Sequence, residues 1–106
     1  MSESTHWGEH LSIDAFGCND SVRIAEAIED FGDVLIKAVN MLKHGNSQME
    51  HFGNGGATGW TYSQLITTSN LCIHFCDDGR MFFDLFSCKE VDVSVCKALI
   101  TAYFEP

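Results

Sequence analysis

The order of hydrophobic patterns along this 106-residue chain predicts an α+β fold, a two-layer α/β sandwich with an antiparallel or mixed sheet and two helices on one face. Three observations carry that prediction. Two stretches repeat apolar residues at helical spacing. Several strand-like runs lie around and between them. A tight Asp77-Asp78-Gly79 turn joins two of those runs in the manner of a hairpin. A chain this short buries a thin core, so two layers are expected, with a second subunit to cover the sheet face that the helices leave open.

Taken in order, His10 to Gly17 alternates, with Leu11, Ile13 and Ala15 on one side, and reads as a strand. Cys18 to Ser21 is a turn in which Asp20 or Ser21 is suited to cap a helix. From Val22 to Lys43 the apolar residues, Ile24, Ala27, Ile28, Phe31, Val34, Leu35, Ala38, Val39 and Leu42, predict one long amphipathic helix. Gly45 stands where a helix C-terminus favours glycine. Gln48 to Phe52 is a short strand candidate, followed by the glycine-rich stretch Gly53 to Gly59. Strands are predicted over Trp60–Thr68, Asn70–Cys76 and Arg80–Cys88. A second helix, with Asp92 as its cap, is predicted over Val91–Phe104.

The net charge of -9 argues against nucleic acid or an anionic membrane as partner and suits a cationic ligand, although it also serves solubility alone. No apolar run is long enough to span a bilayer. Met1 to His10 is polar and acidic, with no basic or apolar segment of an export signal. Five scattered cysteines, Cys18, Cys72, Cys76, Cys88 and Cys96, then read as reduced thiols, and the expected location is cytoplasmic.

Spacing alone yields modest chemistry. The glycine-rich stretch lacks the Lys-Ser/Thr pair of a phosphate-binding loop. Cys72, His74 and Cys76 share one side of a strand, but residues two apart are widely spaced for chelating one zinc ion, so no metal is expected. On the neighbouring strand Phe82, Asp84, Phe86 and Cys88 share a side. A Cys/His pair can serve as nucleophile and base, and a buried Cys can equally be a small apolar core residue.

Four segments in order carry a resemblance. Gly8-Glu9-His10-Leu11 leading to Asp14-Ala15-Phe16-Gly17-Cys18, Gly56-Ala57-Thr58-Gly59, Thr68-Ser69-Asn70-Leu71-Cys72-Ile73-His74, and Asp84-Leu85-Phe86-Ser87-Cys88 resemble the bacterial S-adenosylmethionine decarboxylase proenzymes. The resemblance implies self-cleavage between Thr68 and Ser69 and a pyruvoyl cofactor derived from Ser69, an electron sink for decarboxylation. It implies that His74 assists the elimination step of processing, that Thr58 supplies a hydroxyl to the ester step, and that Cys88 returns a proton to the substrate carbon. Phe52 corresponds to an aromatic that stacks on adenine, and Asp77 or Asp78 to an acidic substrate contact.

It further implies S-adenosylmethionine as substrate, decarboxylated for spermidine synthesis, and a homodimer with active sites near the subunit interface. The chain departs from the pattern in three ways. Thr68 replaces a glutamate, about three extra residues lie between Gly59 and His74, and relatives continue into a final strand beyond Pro106. The departures keep two alternatives open: a non-cleaving relative that binds a ligand or regulates, and a pyruvoyl decarboxylase of ornithine or arginine.

Overall fold

A computed structural model describes residues 8–106; the reading of the N-terminus as free of an export signal falls mostly on residues 1–7, outside the described residues. Strand β1 (Glu9–Ala15) leads through a 3-10 turn (Asp20–Arg23) into helix α1 (Ala25–Ala38). Then come β2 (Gln48–Phe52), a 3-10 turn (Gly55–Ala57), β3 (Gly59–Ile66), β4 (Ser69–Cys76), β5 (Met81–Ser87) and α2 (Val93–Phe104). The five strands form one sheet in the order β1-β5-β4-β3-β2. Every neighbouring pair is antiparallel, which settles the choice between an antiparallel and a mixed sheet.

Alternation along the strands sorts the side chains into two faces. Leu71, Ile73 and Phe75 of β4, Met81, Phe83 and Leu85 of β5, and Tyr62 and Ile66 of β3 are buried on one of them. Against these pack Ile28, Phe31, Leu35 and Ile36 of α1, and Cys96, Ile100 and Phe104 of α2. Phe31 meets both Phe83 and Phe104 edge-on, tying both helices to the same sheet face. Each such ring contributes about 1.5–3 kcal/mol by leaving water. Helix α1 crosses β3 closely at Gly32, where a Cβ would lie 2.2 Å from the Tyr62 hydroxyl. Burial, with Asp33 and Glu29 adding to it, pushes the Tyr62 phenol well above its ordinary range, so it stays neutral.

The single long helix expected over Val22–Lys43 is interrupted at both ends. Asn19 accepts from the Ser21 N–H and caps the 3-10 turn, a role expected of Asp20 or Ser21. Asp20 instead pairs with Arg23. Ile24 is extended, so α1 starts at Ala25, after an apolar residue with no side-chain cap. At the other end Asn40 takes a left-handed conformation (φ 60). The Asn40 and Met41 N–H groups bond back to Lys37 and Ile36, closing a Schellman motif five residues before Gly45. Asparagine tolerates this conformation well enough to end a helix. The Asp92 cap is present: its carboxylate accepts from the Ser94 and Val95 N–H groups.

Candidate active site

The sheet face without helices carries His10, Ser12 and Asp14 of β1, Phe82, Asp84 and Phe86 of β5, Cys72 and His74 of β4, Thr61 and Ser63 of β3, and Gln48, Glu50 and Phe52 of β2. Of the residues singled out for chemistry, His74 and Phe52 lie on this face, Ser69 alternates with Leu71, Ile73 and Phe75 toward the covered side, and Thr58, Asp77, Asp78 and Cys88 lie in the flanking turns. They fall into two clusters at opposite ends of β4.

At one end, β3 and β4 join through a two-residue turn, Thr67-Thr68, and Ser69 opens β4. Thr68 has φ 57, a conformation that a β-branched residue adopts only at a cost. Ser69 is buried, and its Oγ accepts a hydrogen bond from the Cys88 N–H at 2.9 Å. The Cys88 thiol points back toward the Thr67 carbonyl at 4.0 Å. Hydrogen bonds from Thr68 and then Ser69 hold this thiol below the ordinary range, which favours thiolate. A pocket of about 460 Å³ opens here, lined by His44, Leu65, Thr68, Ser69, Asn70 and Phe86 among others.

At the other end, His74 is held from both sides. Its Nε2 lies 2.8 Å from the Ala57 carbonyl and its Nδ1 2.7 Å from the Thr61 hydroxyl. A carbonyl can only accept, so the neutral ring carries its proton on Nε2 and leaves Nδ1 to accept from Thr61. The Phe52 ring, 56% exposed, stands edge-on to the imidazole at 6.4 Å between centroids. Asp77 pairs with His51 at 2.9 Å and Asp78 with Arg80 at 3.1 Å, and the Arg80 hydrogen bond keeps the Asp78 carboxyl below the usual carboxylate range.

The structure therefore joins Ser69 with Cys88 and Thr68, and separately His74 with Phe52, while Asp77 and Asp78 in the turn after β4 are engaged by His51 and Arg80 instead. Ser69 and His74 are five residues apart on one strand, about 17 Å at the rise of an extended chain. Thr58 contributes backbone: its carbonyl accepts from the Asp77 N–H. The hydroxyl on His74 is that of Thr61, which sequence reasoning missed. The hairpin register sets Thr61, not Thr58, opposite His74, and register follows from the turn position, which the residue types alone do not give.

The five cysteines are free. Burial raises Cys72, beside Asp84, and pushes Cys96 up to about 11. Among the described residues no three metal-ligating side chains come together, and no helix is long and apolar enough to cross a membrane.

The fold is an α+β sandwich with one bare sheet face, and it sets a serine at a hairpin tip beside a cysteine and, separately, a histidine beside a threonine hydroxyl, groups of the kinds that acid–base and acyl chemistry use. The family model described as S-adenosylmethionine decarboxylase matches residues 9–106, and the chain belongs to that family. Its function is thus of the S-adenosylmethionine decarboxylase type, a carboxy-lyase chemistry of polyamine biosynthesis. No curated protein and no solved structure matches the chain.

Proposed function

We propose that the chain is a proenzyme that cleaves itself between Thr68 and Ser69, and that the product is a pyruvoyl-dependent, cytoplasmic S-adenosylmethionine decarboxylase supplying spermidine synthesis. The observation that carries this reading is the hairpin tip. The bond to be cut follows a strained residue, Thr68, and the hydroxyl that would attack it is fixed beside Cys88. A cut there frees Ser69 as a new N-terminus at the rim of a pocket, so the residues present fit a pyruvoyl group.

In this scheme Ser69 Oγ attacks the Thr68 carbonyl carbon. The Thr68–Ser69 C–N bond breaks, the serine nitrogen takes the hydroxyl proton, and an ester joins the two parts. A base then removes the Ser69 Cα proton and the Thr68 carboxylate leaves; the dehydroalanine that remains takes up water and releases ammonia. The pyruvoyl group so formed supplies an electrophilic carbonyl for the substrate amine and an electron sink when carbon dioxide departs. Cys88 sits beside Ser69 to return the proton to the substrate carbon.

The base is His74, and the 17 Å along β4 call for a second copy. Two sheets packed through their bare faces lie about 10 Å apart. A two-fold axis running across the strands turns the Ser69 end of one β4 over the other end of its mate. The partner subunit's His74 then lies over the backbone of Ser69, whose side chain alternates to the covered side with Leu71, and the Cα proton reaches Nδ1 through the Thr61 hydroxyl. The bare face, with Phe52, Phe82 and Phe86 among polar residues, is suited to such a homodimer.

Thr68 in the place of a glutamate favours a second reading, a non-cleaving relative that binds its ligand. Carbon dioxide release from carboxyl-labelled S-adenosylmethionine tests the proposal, with ornithine and arginine run alongside. Release from S-adenosylmethionine alone is the expected result. Release from none of the three favours the non-cleaving relative, and release from ornithine or arginine moves the substrate.

A further inference from the structure

The row of side chains through His74 continues to the edge of the sheet. The register aligns Phe82, His74, Thr61 and Glu50 on successive strands. At about 4.8 Å per strand, Glu50 is about 10 Å from His74. At the Glu50 end of this row opens a groove of about 290 Å³ lined by Gln48, Glu50, Phe52, Thr61 and Ser63. Thr61 belongs to both structures, since it lines the groove and holds His74. Phe52 also belongs to both, flanking His74 edge-on.

The carboxylates near this end differ in what they face. Asp77 is paired with His51, Asp78 with Arg80, and Asp84 farther along the face with His10. Among the described residues Glu50 has no basic partner, and its carboxylate accepts one side-chain hydrogen bond, from the Gln48 amide at 3.4 Å.

We propose that Glu50 is the counter-charge for the sulfonium of the substrate, which lies in this groove with the Phe52 ring as its other wall. This deepens the reading above and rests on S-adenosylmethionine being the substrate. A sulfonium is a permanent cation with no N–H to donate, so a site recognises it through charge and through the face of an aromatic ring. A carboxylate and an exposed phenylalanine side by side supply both. The arrangement also discriminates against the corresponding thioether, which has the same shape but for one methyl group and no charge.

Calorimetry with two adenosine derivatives that carry neither amine nor carboxyl isolates that charge: methylthioadenosine and its dimethylsulfonium counterpart. The wild-type chain should bind the sulfonium about tenfold more tightly than the thioether. Glu50→Gln should lose that preference without weakening the thioether, and Glu50→Lys should reverse it. A wild type that binds both alike, or a preference unchanged in both variants, would overturn the proposal. The denatured mass of the same samples judges the enzyme reading separately. An uncut chain whose cation preference follows Glu50 sinks self-processing and keeps the groove. A cut, active chain whose preference ignores Glu50 does the opposite.

Discussion

The two faces of the sheet are made by the same strands and differ in everything else. On β4 and β5 one residue in two is apolar and inaccessible, locked against Phe31, Leu35 and Phe104. The alternate residues, Cys72, His74, Phe82, Asp84 and Phe86, are half-exposed and chemically varied. A period of two lets one strand serve stability on one side and chemistry on the other. Substitutions on the covered face should therefore move stability, and substitutions on the bare face or its rim should move processing and turnover.

The largest effect tests the division of labour between the two ends of β4. Ser69→Ala and His74→Ala should each stay uncut alone while melting like the wild type. Refolded together, they should regain cleavage of the His74→Ala chain, because a mixed dimer sets its intact Ser69 against the partner's His74. An uncut mixture beside a wild type that cleaves would break the shared-site arrangement.

Next in size is the covered face. Gly32→Ala drives a methyl group into the Tyr62 hydroxyl. It should cost about 1–3 kcal/mol, read as a lower urea midpoint. An unchanged midpoint would mean that the crossing of α1 over β3 relaxes freely.

A smaller effect concerns acid–base behaviour at the rim. The Cys88 pKa is lowered, so the folded protein holds thiolate to a lower pH than an ordinary thiol does. In the uncut His74→Ala chain alkylation of Cys88 should rise with an inflection below the usual thiol range, and adding Thr68→Val should move it upward. In the cut enzyme Ser69 has lost its hydroxyl and Thr68 its place in the turn, so the inflection should move back toward the ordinary thiol range. An ordinary inflection in the uncut chain would remove the hydrogen bonds from the account. Smallest is Asp92→Ala, expected to cost about 1 kcal/mol through the lost cap of α2, with cleavage untouched.

Much of this was legible in the sequence. Alternation in the first strand, and strand-like runs bounded by turns in the rest, located all five strands to within two residues. The Asp77-Asp78-Gly79 turn and the Asp92 cap were readable from their residue types. Helix α1 was overdrawn because apolar residues at 22, 24, 39 and 42 keep the helical period while the backbone at Ile24 and Asn40 does not. Periodicity reports which side of a residue is buried, and it is silent on φ and ψ. At the site, resemblance supplied Ser69, His74 and Cys88 but not their separation, since five residues along a strand carry no warning of 17 Å until the strand is seen to be straight. Thr61 stayed hidden behind Thr58 because the partner of His74 is set by hairpin register, which the residue types alone do not give.

The central claim, that this chain processes itself at Ser69, meets its most direct test in the denatured intact mass of freshly purified protein. The account predicts two fragments, residues 1–68 and 69–106, the second without a free N-terminal amine. A single uncut chain that persists on long incubation would contradict it and leave a ligand-binding relative in its place.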